Sequence, residues 1–212
     1  MKDIFLSWIQ WSWKGTQADL LLKHFPNKFK YFETWEILRT LSSTDNAIGN
    51  YIRHALENWI LIKDGVVVEL FKVFLQTVEE GDCLLLDWVL RKMWQTQAIC
   101  NEMKKSGRDF IVLHFDLSDD VVYKRLASRI VCWKCWNNSS GWNGSWMCEK
   151  CGWILVRRED DINIDAVKMR IESFHKETQP SLDWVEENGW LVHINAERSV
   201  EEIFEDVLKY VN

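Results

Sequence analysis

Four of the six cysteines fall in two pairs, Cys132-x-x-Cys135 and Cys148-x-x-Cys151, with twelve residues between the pairs. Two such knuckles can turn four thiolates toward one point, the tetrahedral sulfur set that structural zinc takes. The polar loop between them cannot build a core, so bound metal would supply the folding energy of this small lobe. Two disulfides are the alternative. They suit exported chains, and Met1-Lys2-Asp3 leads into an apolar stretch too short for a secretory signal. A redox CxxC fits less well, because the motif occurs twice. Cys83 and Cys100 lie in apolar strand and helix contexts and read as ordinary buried thiols.

A second constellation lies near the start. Trp8-Ile9-Gln10-Trp11-Ser12-Trp13-Lys14-Gly15-Thr16 follows a short apolar run, Asp3–Ser7. With Gly at the three Trp positions it reads G-x-x-G-x-G-K-G-T, a loop whose N–H groups and lysine can surround a polyphosphate at a helix start. The chain carries 14 Trp and only 9 Gly, where about 7% Gly, roughly 15 residues, is ordinary. Several Trp sit in turn-forming surroundings, most clearly in Asn137-Asn138-Ser139-Ser140-Gly141-Trp142-Asn143-Gly144-Ser145-Trp146. Either these indoles form an aromatic binding surface, or many of the codons are a recoded stop triplet that the source organism reads as Gly.

The elements that must position these residues alternate. Asp3–Ser7 and Lys30–Phe32 read as strands, with a helix at Lys14–His24 between them. Helices follow at Trp35–Ser42, at Asn46–Glu57 with Asp45 or Asn46 as cap, and at Asp64–Val78. Cys83–Leu86 is a continuous apolar run ending at Asp87, the pattern of a buried parallel strand whose carboxyl end faces a site. Gln95–Lys105 predicts helix, Phe110–Leu113 strand, and Ser118–Arg129 helix capped by Ser118. Beyond the cysteine region come helices Asp165–Lys176 and Pro180–Asn188, strand Leu191–Ile194 and helix Val200–Val211. The alternation predicts an α/β fold, a doubly wound parallel sheet flanked by helices.

Length and charge narrow the class further. The 212 residues are 47% hydrophobic with net charge −6 and pI about 5.4, enough chain for one mid-sized core with small insertions. No apolar run reaches the roughly 18 residues of a membrane span. The acidic balance argues against a dedicated nucleic-acid binder. A cytoplasmic location is the expectation.

At this point the chain resembles an adenylate kinase of the long-lid, zinc-binding bacterial type, over nearly its whole length. Beyond the phosphate loop, Thr34-Trp35-Glu36-Ile37-Leu38-Arg39 resembles the family's T-G-D-x-L-R segment and Trp59-Ile60-Leu61-Ile62-Lys63-Asp64 its G-x-L-V-x-D hinge. Asp87-Trp88-Val89-Leu90-Arg91 with Gln95 resembles D-G-F-P-R and the glutamine that follows. Arg125 and Arg129 resemble the pair opening the lid, Arg158-Glu159-Asp160-Asp161 its closing R-x-D-D, and Arg170 the last arginine of the transfer site. Six Trp (8, 11, 13, 35, 59 and 88) fall on Gly positions of these motifs, a coincidence that independent aromatic gains do not explain. Trp136 stands where Gly152 stands after the second cysteine pair. Trp184, in an amphipathic stretch after Leu182, reads as genuine. The departures are Leu90 for proline, Lys92 for threonine, Asn195-Ala196 in a small-residue turn, and one extra residue between Asp161 and Arg170.

The resemblance implies a P-loop core over 1–32, 63–127 and 162–212, an inserted helical monophosphate-binding lobe over 33–62 and an inserted zinc-binding lid over 128–161. It implies reversible, magnesium-dependent transfer, ATP + AMP giving two ADP, in a monomer that binds neither nucleic acid nor membrane. Trp11, Ser12, Trp13, Lys14, Gly15, Thr16, Arg129 and Arg198 would hold ATP, with Lys14 bridging the β- and γ-phosphates. Thr34, Arg39, Ile60, Leu61, Ile62, Trp88, Arg91, Gln95, Arg158 and Arg170 would line the AMP site. Arg39 and Arg91 would hold its phosphate, and Thr34 and Gln95 would select adenine. Arg129, Arg158 and Arg170 would close on the migrating group and with Lys14 and Arg91 form the catalytic set, and Asp87 would hold Mg2+ through water. Such chemistry asks for convergent cations in a water-poor site rather than for covalent work. Taken literally, indoles at 8, 11 and 13 fill the volume meant for phosphate. The competing readings are a CMP or UMP kinase, a zinc-ribbon binding module with an aromatic face, and a catalytically dead relative.

Overall fold

The computed structural model describes residues 1–8, 14–58, 60, 62–132, 134–135, 138–140, 146–157 and 159–211, with the backbone alone at 8, 14, 138–140, 159 and 160. Five strands form one parallel sheet: β1 (Asp3–Trp8), β2 (Phe29–Glu33), β3 (Cys83–Asp87), β4 (Phe110–Asp116) and β8 (Leu191–Asn195), in the order β2-β3-β1-β4-β8. Alternate residues of these strands feed two layers. Ile4, Leu6, Leu85 and Leu113 pack with Leu21 of α1 (Lys14–His24) and with Ile203 and Val207 of α10 (Val200–Val211). On the other face Phe5, Leu84, Leu86 and Val112 meet Val68 and Phe71 of α4 (Asp64–Leu75), Ile99 and Met103 of α5 (Met93–Lys105) and Val185 of α9 (Gln179–Glu187). The doubly wound sheet expected from the sequence is therefore present, and burial on both faces explains why β3 reads as an unbroken apolar run.

Between β2 and α4 stand two further helices, α2 (Thr34–Ser42) and α3 (Ala47–Glu57). Asn46 caps α3, accepting from the Gly49 N–H at 2.9 Å. A Cβ at Gly49 would run into the Thr44 carbonyl, so here a glycine is needed and a glycine is encoded. The cysteine region is a separate antiparallel sheet of β5 (Arg129–Cys132), β6 (Asn138–Ser140) and β7 (Leu155–Val156), in the order β6-β5-β7.

Several boundaries differ from expectation. Helix α4 stops at Leu75 rather than Val78, where Gln76, Thr77 and Val78 turn back on the carbonyls of Val73, Phe74 and Leu75. Helix α6 (Asp119–Ala127) ends two residues before Arg129, which instead opens β5, because the β-branched Ile130 and Val131 pair with β6. Ser118 holds the cap position of α6, yet its hydroxyl donates to Glu197 at 2.6 Å. After α7 (Glu159–Ile162), Asn163 breaks the chain and caps α8 (Ile164–Ser173), accepting from the N–H groups of Asp165 and Ala166. This break lies within the stretch that carries the extra residue. A π-helical turn, Phe174–Thr178, then joins α8 to α9, where the sequence had suggested two plain helices.

Candidate active site

In an open parallel sheet, ligands gather at the carboxyl ends of the strands where the strand order reverses. Here the reversal falls at β1, between β3 and β4. The phosphate-loop residues Trp11, Ser12 and Trp13 lie outside the described residues. Lys14 is the first residue of α1, and its side chain likewise lies outside them. Gly15 and Thr16 follow on the exposed first turn.

Asp87 closes β3, opposite Leu6 of β1 and Glu33 of β2, and is fully buried. Its Oδ2 accepts from the Tyr31 hydroxyl at 3.0 Å. Burial, reinforced by the Asp87 and Glu33 charges, pushes the Tyr31 phenol far above its usual range, which keeps it a donor. A buried carboxylate at a strand end suits a hard cation reached through water. Nothing in the residue type marked Tyr31 beforehand; only the strand register brings it there.

Two of the predicted transfer arginines share one acid. Arg129 donates from Nη2 to Asp161 Oδ1 at 2.7 Å and from Nε to Oδ2, while Arg170 Nη1 reaches Oδ1 at 2.9 Å. Arg129 and Asp161 are both buried. The motif Arg158-Glu159-Asp160-Asp161 contained Asp161, but its role as a bridge between two arginines could not be read without the fold. Arg158 lies outside the described residues.

Arg91 belongs to the same neighbourhood. Burial lowers its pKa, the charge of Arg170 lowers it further, and Asp87 and Glu177 pull it back up. Its guanidinium lies 4.9 Å from the centre of the Trp88 ring. Trp88 in turn stacks on Trp35 at 6.2 Å, and Arg39 lies 5.9 Å from the Trp35 ring with Glu33 at 3.7 Å. Burial also lowers the Arg39 pKa, against the pull of Glu33 and Glu36. Trp88 and Leu90 have φ of 60° and 62°, a region that costs a side-chain-bearing residue about 1–2 kcal/mol. Position 88 thus has a backbone that suits glycine, as the D-G-F-P-R pattern does.

Thr34 is buried, and its hydroxyl has no hydrogen-bond partner among the described residues. Gln95 is buried too. Its Oε1 accepts from the Arg91 N–H at 3.0 Å and its Nε2 reaches Asp64 at 3.4 Å, so the amide is already part of the arginine loop. Ile60 is exposed, with its N–H on the Ala55 carbonyl at 2.8 Å, and Ile62 is half-buried. Leu61 lies outside the described residues. Arg198, predicted at the ATP site, pairs instead with Asp206 and donates to the Asn195 carbonyl at 3.3 Å. Arg125 donates to the Ala196 carbonyl at 2.8 Å.

The four paired cysteines do converge. Their Sγ atoms all lie within 4.8 Å of one another, with Cys132–Cys151 at 3.4 Å and Cys135–Cys148 at 3.5 Å. All six cysteines are free thiols, which removes the disulfide alternative, since an S–S bond is about 2.05 Å. Burial pushes the Cys148 thiol up, but N–H groups of Cys151 and Lys150 and the neighbouring thiols outweigh it and bring it down to about 7. Gly152 has φ of 69° in the knuckle turn. Its counterpart Trp136 lies outside the described residues. Such a set can hold a metal ion that prefers thiolate. Cys83 and Cys100 are buried as expected, and burial pushes Cys100 up to about 12.

A cavity of about 260 Å³ lies apart from the arginines, at the ends of β4 and β8, lined by His114, Asp116, Phe174, His175 and Glu197 among others. Burial pushes the His114 imidazole down to about 4, with Asp116 opposing and His193 assisting.

A family model described as adenylate kinase matches residues 11–190. The chain belongs to the adenylate kinase family. It is similar to adenylate kinases of Caldicellulosiruptor bescii (28% identity over 206 residues, 92% of each chain) and of Geobacillus sp. strain WCH70 (28% over 204, 92% of this chain and 91% of the relative). It is also similar to that of Methanococcoides burtonii (30% over 207 residues, 92% of each chain). As a member of the adenylate kinase family, the chain is a phosphotransferase, and its parallel five-stranded sheet with flanking helices fits that family's fold. No helix among the described residues is long and apolar enough to cross a membrane.

Proposed function

We propose that the protein transfers the terminal phosphoryl group of ATP to AMP, reversibly and with magnesium, giving two ADP. The observation that carries this reading is the convergence of Arg91, Arg129 and Arg170 near buried Asp87, at the edge where the sheet order reverses. An oxygen of the AMP phosphate attacks the γ-phosphorus as its bond to the β–γ bridging oxygen breaks. Neutralising the charge that meets there is the main work. Arg39 and Arg91 take the acceptor phosphate, and guanidinium forks suit its paired oxygens. Arg129, Arg158 and Arg170 surround the migrating group, while Lys14 and the main chain through Thr16 hold the donor's phosphates, with Arg198 on the donor side.

Magnesium, when bound with ATP, would offset the negative charge of the phosphates, and Asp87 would hold it through water. Thr34, whose buried hydroxyl has no hydrogen-bond partner among the described residues, and Gln95 would recognise the acceptor base, with the segment Ile60, Leu61, Ile62 alongside. Residues 33–62 form the acceptor lobe, 128–161 the lid, and 1–32, 63–127 and 162–212 the core. Cys132, Cys135, Cys148 and Cys151 hold structural zinc: a tetrahedral site with Zn–S near 2.3 Å puts sulfurs about 3.8 Å apart, within the spread of the thiols here. The protein works as a cytoplasmic monomer that balances adenine nucleotides, without nucleic-acid or membrane partners.

The native chain carries Gly at positions 8, 11, 13, 35, 59 and 88, through a stop triplet read as glycine. The positive φ at Trp88 supports this. A chain with Trp there is the catalytically dead form. Two experiments test the reading. Competition among AMP, CMP and UMP as acceptors should leave AMP strongly preferred; preference for CMP or UMP would make it a pyrimidine nucleotide kinase. Intact-mass and metal analysis of the native protein should give one zinc per chain and a mass short of 14 Trp. A mass matching 14 Trp overturns the recoding.

A further inference from the structure

The Arg91 backbone is held from both sides. Its N–H donates to Gln95 Oε1 of α5 at 3.0 Å, and its carbonyl accepts from Thr178 Oγ1 at 3.0 Å. Gln95 and Thr178 are 3% and 4% exposed, so neither bond competes with bulk water. Beside them Lys92 pairs with Glu177 at 3.6 Å. The segment they hold is unfavourable in itself, with Trp88 and Leu90 at positive φ. Leu90 stands where the family has a proline, whose φ is fixed near −65° and could not take the 62° found here. Strained backbone of this kind persists only where its surroundings over-determine it.

We propose that Thr178 is a positioning residue for the acceptor arginine, fixing the Arg91 carbonyl and with it the direction in which the guanidinium leaves the loop. The proposal rests on the kinase reading above. Thr178 closes the π-helical turn at the end of α8, the helix that carries Arg170. The turn sets the Thr178 hydroxyl against Arg91 where α8 gives way to α9, and π-turns inside helices recur at functional sites. Through it, the helix of one phosphate-binding arginine sets the main chain of the other. A misplacement of about 1 Å at such a site can cost on the order of a hundredfold in rate.

The test uses the full chain with Gly at 8, 11, 13, 35, 59 and 88, compared with its Thr178→Val and Thr178→Ser variants. Valine keeps the shape and removes the hydroxyl; serine keeps the hydroxyl. The expected result is that Thr178→Val loses about tenfold in kcat/KM for AMP, the scale of one buried hydrogen bond, with KM for ATP within about twofold. Thr178→Ser should restore the AMP value. If Thr178→Val does not fold, Thr178→Ala reads the same split. KM values for ATP and AMP rising together, or an AMP value that valine leaves unchanged, would overturn the positioning role while leaving the kinase reading intact. A parent chain that forms no ADP would overturn the kinase reading, and this role with it.

Discussion

Arg129 and Arg170 share the Asp161 carboxylate, whereas Arg91 has no carboxylate within ion-pair distance among the described residues and is fixed through its own main chain. The first arrangement neutralises its arginines in advance. On the proposed reading, a phosphate arriving there would have to compete with Asp161, and these cations would be exchanged from one anion to another. The second arrangement spends its hydrogen bonds on the backbone and sets the guanidinium against the Trp88 ring. Preorganisation is thus built differently on the two walls, by ion pairing on one and by clamped backbone on the other.

Removing the shared acid is the harshest way to break this contrast. Asp161→Ala removes the carboxylate that two guanidiniums share, one of them buried, and should cost up to about 3–5 kcal/mol of unfolding free energy in a urea titration. A loss below about 1 kcal/mol would mean that the bridge contributes little to the fold. Acid sharpens the contrast from a third direction, because the π-turn that carries Thr178 also stacks Phe174 on His114. The folded His114 pKa of about 4 lies below its ordinary 6.5, so the unfolded chain takes up the proton first. Stability from this group is complete above pH 6.5 and falls as the pH drops toward 4, by on the order of 2 kcal/mol at pH 5. His193 opposes the fall. Burial is the largest single influence and lowers it, but Asp116 and Glu186 together outweigh it and raise it overall, so its contribution is full below 6.5 and lost as the pH rises. As an exposed pair it is worth less than about 1 kcal/mol. Denaturation at pH 5 and 7 should show the loss in the parent and not in His114→Gln.

The smallest effect belongs to the acceptor wall. Trp88→Gly relieves about 1–2 kcal/mol of positive-φ strain and forfeits about 0.5–1 kcal/mol of cation–π contact with Arg91 and at least about 0.5 kcal/mol of stacking on Trp35. A net gain of up to about 1 kcal/mol should appear as a higher midpoint of thermal unfolding. A lower midpoint would mean that the indole belongs there.

What could be read from the sequence was whatever repeats locally. The apolar run at Cys83–Leu86, the periodic faces of α1 and α10 and the cysteine spacing each depend on near neighbours, and each element formed where the pattern put it. The motif order carried Arg91, Arg129 and Arg170 into one list, but not the pairing on Asp161, which joins residues 32 and 9 positions apart. Tyr31 against Asp87 and Thr178 against Arg91 span 56 and 87 positions and depend on strand register and on a π-turn that periodicity cannot announce. Arg129 was assigned to a helix because the pairing partner of β5 lies in a polar loop that shows no strand pattern.

The most direct test is coupled detection of ADP formed from ATP, AMP and magnesium by two chains, one with Gly and one with Trp at positions 8, 11 and 13, all else equal and position 88 glycine in both. The Gly chain should turn over and the Trp chain should lose activity to background, because N–H groups must come within about 3 Å of phosphate oxygen where indoles now stand. A Gly chain that makes no ADP, or a Trp chain that matches it, would contradict the account.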